Sequence, residues 1–329
     1  MSKGIGRLNQ VGIAKETSRG TAVGTPTYMI AFAELDLDEK DQRVIDEQSY
    51  GVVENSVGES IVKQWMEASI KAPIGDNHFP LLLYSILGTL NTSIGTATGT
   101  PCTHTITVAQ SAQHQSLTIL LDDPIGGQDY KHANAVIAQL EIAYEREAFL
   151  SYTASVKAMK GAAATVNPVA VSENRFLPQH VVFKLATTQS GLTAATAMPI
   201  KSATLRITQN IQDDDVLGSV SPADFLSKQF AIEGELEAIY QNETDFKSNS
   251  LTGTARAMRL DLINTDAVIG TGAANPSIRI DLNKVVFQPI TKPIRLNDIM
   301  VQRVSFRAHY SATDSKMVTI TAVNSQQSY

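Results

Sequence analysis

Alternating apolar and polar side chains characterise the segment Gln139–Met159. One parity carries the apolar residues Leu140, Ile142, Tyr144, Ala148, Leu150, Tyr152, Ala154 and Val156, and the other carries the polar residues Gln139, Glu141, Glu145, Glu147, Ser151, Thr153 and Lys157. Because successive side chains of a strand point to opposite faces, this pattern predicts strands with one packed face and one wet face. Val304–Tyr310 and Ile232–Ala238 alternate in the same way. The chain is therefore predicted to be mainly antiparallel β.

A short helix is predicted directly behind another strand, Lys63–Ala72. The two faces of that strand are ambiguous, because Trp65 shares its parity with charged residues. The apolar run Phe79–Leu87 that follows is long enough for two helical turns, with Asn77 as the N-cap and Gly88 as the C-terminal stop. Such a helix would dock on the packed face of the sheet.

A faint repeat divides the chain into two similar halves. Three matches recur at one spacing: Lys63-Gln64-Trp65 with Lys228-Gln229-Phe230, Asn77 with Asn242, and Gly88-Thr89 with Gly253-Thr254. Weaker matches lie on both sides of these: Leu35 and Leu37 with Leu205 and Ile207, and Leu140, Ile142 and Tyr144 with Val304, Phe306 and Ala308. A repeat of this length indicates that one structural unit was duplicated. We expect a first domain at residues 1–165 and a second at residues 166–329.

Each half is expected to contain the same elements in the same order. An extended arm (Gly12–Gly24 or His180–Gly191) precedes a strand (Tyr28–Asp38 or Ala203–Gln209) and a polar loop, which is long in the first half (Glu39–Glu59) and shorter in the second (Asn210–Ala223). A strand, a helix and further strands complete the unit. The second helix is expected to be shorter, because Phe246 and Leu251 keep only part of the apolar run. The predicted fold is two tandem antiparallel β-sandwich or barrel domains, each with a short flanking α-helix.

Composition and charge exclude several classes of protein. The chain has 329 residues, of which 43 % are hydrophobic and 18 % charged, so it is globular and long enough for two cores. A formal net charge of −6 gives no general basic surface for nucleic acid. Cys102 is the only cysteine, which excludes an internal disulfide and a cysteine-rich metal site. The sequence begins without an apolar leader and has no apolar run of about 20 residues, so we expect no secretion, no membrane segment and a reducing cytoplasm.

Candidate catalytic and ligand-binding residues form no known constellation. Asp36, Asp38, Glu39 and Asp41 lack the glycine and the closing glutamate of a calcium loop. The six histidines have no HExxH spacing, and no serine lies in a GxSxG motif. We therefore predict no catalytic, cofactor-binding or metal site, no cofactor and no enzymatic activity. A hydrolase would need His132, Asp129 and a nearby serine to converge, which no spacing supports.

Four long stretches carry a family resemblance. They are GIAKETSRGTAVGTPTYMIAFAELDLDEK, KQWMEASIKAPIGDNHFPLLLYSILGT, THTITVAQSAQHQSLTILLDDP and YKHANAVIAQLEIAYEREAFLSYTASVKAMKG, and together they cover most of residues 11–161. In this order they resemble the major tail tube proteins of long-tailed, non-contractile bacteriophages. The resemblance implies rings of six β-sandwich domains whose inner sheets join into a β-barrel around a channel for DNA ejection. With two such domains per chain, three chains would build a pseudo-sixfold ring.

The resemblance also implies functional surfaces and partners. An acidic channel wall would not adhere to DNA phosphates, and the candidates to line it are Gln139, Glu141, Glu145, Glu233, Glu235 and Glu237. Arg303 and Arg307 either pair with neighbouring carboxylates or face outward. The candidates for ring stacking lie in the arm Val11–Thr25 and the loop 39–59: Lys15, Arg19, Glu39, Asp41, Arg43, Asp46, Glu47, Tyr50, Glu54 and Glu59.

The expected partners are further copies of the chain, a tape-measure protein, a tail terminator and baseplate or distal tail proteins. DNA is expected to pass through the channel without specific binding, and no membrane is involved. The protein would be made in the cytoplasm of the bacterial host and would end up in the virion.

Two alternatives remain open. Another tube-forming relative, such as a tail terminator or a secretion-tube subunit, would share the fold. A carbohydrate-binding β-sandwich module would need a cluster of exposed aromatic residues, whereas aromatic residues make up only 6 % of the chain and Trp65 is its sole tryptophan.

Overall fold

Eighteen strands and two α-helices, α1 (His78–Leu87) and α2 (Lys247–Thr252), form the part of the chain that the computed structural model describes: residues 5–94, 100–125, 127–167, 169, 172–241, 244–270, 274–292, 296 and 299–329. The strands are β1 (Gln10–Lys15), β2 (Tyr28–Ile30), β3 (Glu34–Asp46), β4 (Gly58–Pro73), β5 (Gly88–Ile94), β6 (Cys102–Val108), β7 (Leu117–Asp122), β8 (Asp129–Tyr144), β9 (Ser151–Met159), β10 (Ala162–Ala164), β11 (Val181–Ala186), β12 (Ala197–Met198), β13 (Ile200–Asp214), β14 (Asp224–Ile239), β15 (Arg256–Ile263), β16 (Ser277–Phe287), β17 (Val301–Ala308) and β18 (Val318–Asn324). The predicted mainly β fold is confirmed, and the single large antiparallel sheet does not close into a barrel within one chain.

Eight of these strands form one continuous band, in the order β3–β4–β9–β8–β13–β14–β17–β16. Its middle joins the two halves of the chain, because Gln139–Tyr144 of β8 pairs with Ala203–Thr208 of β13. We refer to these eight strands as the band.

One face of the band is packed and the other is wet, as the alternation predicts. The inward residues Ile70, Ile142, Ile207, Leu236 and Phe306 are all buried and belong to one hydrophobic cluster that spans both halves. Apolar side chains of α1 complete this cluster. Each Å² of apolar surface removed from water stabilises the fold by roughly 25 cal/mol. This shared core is therefore the main source of stability.

The first helix begins and ends close to its predicted bounds. Gly88 has φ +90°, a left-handed conformation that a glycine C-cap adopts without strain. Asn77 is the N-cap, as predicted, but its side chain makes no capping hydrogen bond: its Nδ2 donates to the carbonyl of Ser172 (3.2 Å), and the Glu173 carboxylate accepts from the His78 backbone N–H (2.6 Å). A cap supplied from a distant segment leaves no local sequence signal.

The second helix has six residues against ten in the first, which confirms that it is shorter. Phe246, just before it, is 1 % exposed, whereas Leu251 is 77 % exposed and adds nothing to the core.

The predicted loop Glu39–Glu59 is largely a hairpin. Strands β3 and β4 pair from Glu34–Lys71 to Asp46–Gly58, so only residues 47–57 form the tip. Near the tip, Arg43 forms ion pairs with Asp41 on the same strand and with Glu59 on β4. Most residues here are exposed on both faces, so the sequence has no alternation to mark a strand. In the second half the predicted loop is again partly strand, and the tip between β13 and β14 is residues 215–223.

The predicted N-terminal arm is also not a free extension. Its first part is β1, which lies between β2 and β7 and is mostly buried. The next residue, Glu16, is 2 % exposed, and its carboxylate accepts hydrogen bonds from Ser116 Oγ (2.6 Å), Thr118 Oγ1 (3.0 Å) and the backbone N–H groups of Gly20 and Asn134 (both 2.8 Å). This buried carboxylate fixes the turn that follows β1.

Strand pairings recur in the same order in both halves. β1 pairs with β2 and β7, as β11 pairs with β12 and β15; β4 pairs with β3 and β9, as β14 pairs with β13 and β17; β8 pairs with β7, β9 and β10, as β16 pairs with β15, β17 and β18. Register shifts fall at matching places, Leu117/Ile119 with Arg256/Met258 and Gln42/Arg43 with Gln209/Ile211. In this correspondence β17 matches β9, so the predicted match of Leu140–Tyr144 with Val304–Ala308 is wrong. Asn242 lies outside the described residues, and β5 and β6 have no counterpart in the described part of the second half.

Candidate assembly surface

The wet face of the band carries rows of charged side chains that run across the strands. One row contains, in order, a residue from each of seven neighbouring strands: Glu34, Lys71, Thr153, Glu141, Arg206, Glu233 and Arg307. Each is the cross-strand partner of the next, so their side chains share one face. The face therefore passes without interruption from the first half to the second.

Acidic and basic side chains on neighbouring strands form ion pairs on this face. Glu141 pairs with Arg206 (2.6 Å) across the junction of the two halves, Glu237 pairs with Arg303 (3.1 Å), and Glu233 pairs with Arg307. Of the two alternatives left open for Arg303 and Arg307, pairing with carboxylates is the one observed. These groups are largely exposed, so each pair contributes about 0–1 kcal/mol and mainly sets the charge pattern. Asp36, Asp38, Glu67 and Glu235 lie on the face too, as do Lys40, Lys63, Lys71 and Lys157, so the face has a small excess of acids over bases.

Five of the six channel-lining candidates lie together on this face. Gln139 and Glu141 are on β8, and Glu233, Glu235 and Glu237 are on β14. Glu145 lies beyond the end of β8, in the turn before β9. That these residues line a channel stays a prediction.

Eight of the ten ring-stacking candidates lie on the hairpin of β3 and β4. Glu39, Asp41, Arg43 and Asp46 are on β3, Glu59 is on β4, and Glu47, Tyr50 and Glu54 are in the tip. The same end exposes apolar side chains in unusual number: Val44, Ile45, Tyr50, Val52, Val53, Val57, Ile61 and Val62, with Val53 fully exposed. A cluster of this kind, interspersed with acids, is typical of a protein–protein contact.

The other two stacking candidates already have partners inside the chain. Lys15 donates to the carbonyl of Tyr329 (2.6 Å). Arg19 forms an ion pair with Asp224 (2.6 Å) and donates to the backbone carbonyls of His114 and Phe225. Their contribution to stacking remains untested. Their observed contacts join the first half to the second, Lys15 at Tyr329 and Arg19 at β14.

Asp224 is the centre of a polar cluster between the halves. Besides Arg19, its carboxylate accepts from Asn134 Nδ2 (2.9 Å) and Gln113 Nε2 (2.7 Å). Burial alone would raise the pKa of Asp224, but these hydrogen bonds outweigh it and hold the pKa below its usual range. The pKa of Asp213, on the same hairpin, is also lowered: burial would raise it, but the hydrogen bonds from Lys157 and Lys63 outweigh burial.

A second contact between the halves was not predicted. β18 of the second half pairs with β6 of the first, from Thr319–Thr107 to Asn324–Cys102. Asn324 Nδ2 donates to the carbonyl of Asp76 (2.7 Å), and the Tyr329 hydroxyl donates to the carbonyl of Asn77 (2.8 Å). We call these contacts, with strands β5 and β6, the clasp. The sequence carries no local signal for it, because it joins segments more than 200 positions apart.

The residues named for a hydrolase and for sugar binding make other contacts in the described part of the chain. His132 is buried beside the carbonyl of Met159 (3.3 Å) and the Glu39 carboxylate (3.6 Å), and burial lowers its pKa; Asp129 accepts from backbone N–H groups instead. The Trp65 ring lies against the ammonium groups of Lys63 (5.3 Å to the ring centroid) and Lys157 (5.5 Å), which share the Asp213 carboxylate. In the described ranges no three acidic, histidine or cysteine side chains are arranged to hold a metal ion. Over those same ranges no helix is long and apolar enough to cross a membrane.

Comparison with known proteins agrees with a structural role. A search of curated proteins finds no match. A family model described as phage tail tube protein matches residues 6–308, which is nearly the whole chain and includes all eight strands of the band. The chain therefore belongs to the phage tail tube protein family, whose members are virion components that assemble into a tube.

Proposed function

We propose that the chain is the tube subunit of a long-tailed, non-contractile phage and that it contains two tube domains, residues 1–165 and 166–329. Three chains form a pseudo-sixfold ring, and rings stack into the tube. The observation that carries this proposal is the recurring order of pairings together with the edge-to-edge contact of β8 with β13, which joins the two halves of the chain in a continuous sheet. Repetition of that contact around an axis generates a ring.

The wet face of the band faces the channel in this proposal. Duplex DNA is bound non-specifically through lysine and arginine. Here Arg206, Arg303 and Arg307 are paired with glutamates, and the rest of the face has a small excess of acids over lysines. Repulsion of this kind acts within a Debye length of about 8 Å at physiological salt, which prevents adhesion without blocking the passage of DNA.

The hairpin of β3 and β4 makes the contact between stacked rings. Its tip is apolar and exposed, and a neighbouring ring would cover it. At the two ends of the tube we propose contacts with a tail terminator and with baseplate or distal tail proteins, and a tape-measure protein inside during assembly. The subunit is made in the host cytoplasm, and DNA is ejected through the channel that the stacked rings enclose.

Negative-stain microscopy of the purified protein tests this function. The expected result is rings and long filaments. The matched variant replaces residues 47–57 by Asn-Gly, a two-residue turn suited to a hairpin, and is expected to form rings that do not stack. Unstacked rings from the unmodified chain would favour a tail terminator instead. Globular particles without rings, at concentrations and salt that support tube assembly, would contradict the proposal.

A further inference from the structure

Two stretches at the ends of the band have no strand partner on their outer side among the described residues: β3, and the segment that follows β16. At one end is β3, which pairs only with β4. At the other end, the chain continues past β16 along β17: the Gln288 N–H donates to the carbonyl of Ser305 (2.8 Å), and Thr291 exchanges backbone hydrogen bonds with Arg303. We call Gln288–Thr291 the edge segment. Exposed strand edges of this kind pair with another chain unless something covers them.

Inside the chain the same two positions are already joined. β13 holds the position of β3: each is the first strand of a long hairpin, and the second strands, β4 and β14, both have 16 residues. The edge segment corresponds to the end of β8, since Thr291 lies opposite Arg303 of β17 as Glu141 lies opposite Thr153 of β9. The pairing of β8 with β13 is therefore a template for the pairing of the edge segment with β3 of another copy.

The template also fixes the register. Arg206 of β13 corresponds to Asp38 of β3, because their partners Glu233 and Glu67 occupy the same place in β14 and β4. Glu141 lies opposite Arg206 within the chain. Thr291 is therefore expected opposite Asp38 of the next copy, and Gln288 opposite Lys40, as Gln139 lies opposite Thr208. The edge segment has one extra residue between these two positions, and the same extra residue is present in its pairing with Ser305 and Arg303 of β17.

Charge and burial fit this partner. β3 presents Glu34, Asp36 and Asp38 on the wet face, and β17, beside the edge segment, presents Arg303 and Arg307 with side chains 68 % and 58 % exposed. On the opposite face, Leu35 and Leu37 are only half-buried, as is Ile290 of the edge segment, and all three contact the core. The paired edges would cover these apolar side chains and set acids against bases.

The junction between chains lacks the clasp. Within one chain, β6 covers the outer edge of β18. β10 holds the position of β18 in the first half, but it pairs only with β8 among the described strands, and the second half continues from α2 to β15 with three residues and no counterpart of β5 and β6.

We propose that the ring alternates between two unlike junctions: β8–β13 with the clasp inside each chain, and the edge segment with β3 and no clasp between chains. This inference rests on the proposed ring. The single chain is then the unit that assembles. The junction between chains opens first when the tube is dissociated.

Paired cysteines test the register. Asp38→Cys with Thr291→Cys, and separately Lys40→Cys with Gln288→Cys, are assembled, imaged and oxidised. Cys102 is buried and does not interfere. The expected products are covalent dimers and trimers of the chain in denaturing gels, ending at trimers. The control, Asp215→Cys with Thr291→Cys, carries equally accessible thiols that are not opposed, and is expected to stay monomeric.

The outcomes separate this inference from the proposed function. Rings seen by microscopy without cross-links in either cysteine pair would overturn the junction and leave the tube function standing. A chain that forms neither rings nor filaments would overturn both. In a urea series, uncross-linked rings are expected to dissociate into folded single chains before the chain unfolds; dissociation only on unfolding would contradict the difference between the junctions.

Discussion

Replacing Asp224 by alanine measures how much the polar cluster between the halves contributes to the free energy of unfolding, compared with an ordinary surface charge. The Asp224 side chain is 12 % exposed and that of Arg19 is 19 % exposed. Removing one partner of a buried ion pair costs about 3–5 kcal/mol, because the remaining charge is left without compensation. Arg19 keeps the carbonyls of His114 and Phe225, so we expect the lower end of that range, about 3 kcal/mol.

Urea unfolding followed by circular dichroism measures this free energy of unfolding. The matched control is Asp215→Ala, which also removes an aspartate from the same hairpin. Asp215 is 56 % exposed and pairs with Lys63, which keeps Asp213 as a partner, so its loss should cost less than about 1 kcal/mol. Equal effects of the two substitutions, or an Asp224→Ala effect under about 1 kcal/mol, would refute the assignment of Asp224 as an anchor between the halves.

Three further predictions concern pH, backbone conformation and channel charge. Because the pKa of Asp224 is depressed in the folded chain, its contribution to stability is fully present above its unfolded pKa of about 4 and is lost as pH falls through the folded pKa. The difference in urea midpoint between wild type and Asp224→Ala should therefore shrink below about pH 4, and an unchanged difference at pH 3 would oppose this. Gly88→Ala should cost about 1–3 kcal/mol in thermal or urea unfolding, because φ is +90° and the new Cβ would lie 2.8 Å from that of Ala109, whereas Gly51→Ala, with φ +77° and open space, should cost less; equal costs would contradict the packing argument. The triple variant Glu141→Gln, Glu233→Gln and Glu237→Gln should make assembled rings retain DNA at low salt by leaving three arginines unpaired, which a filter-binding assay measures against Glu47→Gln with Glu54→Gln and Glu59→Gln; equal retention by both would argue against a channel position.

Local patterns were enough to predict the elements with one packed face. The alternation along β8 and β9 and the stop at Gly88 depend on neighbours in sequence, and both are observed. The parity of Trp65 was ambiguous for a physical reason: it lies on the wet face, where the ammonium groups of Lys63 and Lys157 both lie near its ring.

Long-range contacts could not be predicted in the same way. The ends of β3 and β4 are exposed on both faces, so nothing in the sequence distinguishes them from a loop. Glu173 caps α1 from a distant segment, and β6 reaches β18 across most of the chain. The acids of the channel-lining prediction could be placed on one face by parity, but their arginine partners lie on neighbouring strands and become visible only with the register.

The number of chains per ring decides whether each chain contributes two tube domains. Cryo-electron microscopy of assembled tubes resolves both the symmetry and the strands of the inner wall. We expect three chains per ring, each contributing the eight strands of the band in the order from β3 to β16. Six chains per ring, or a wall in which β3 of one chain does not meet the edge segment of the next, would contradict this expectation.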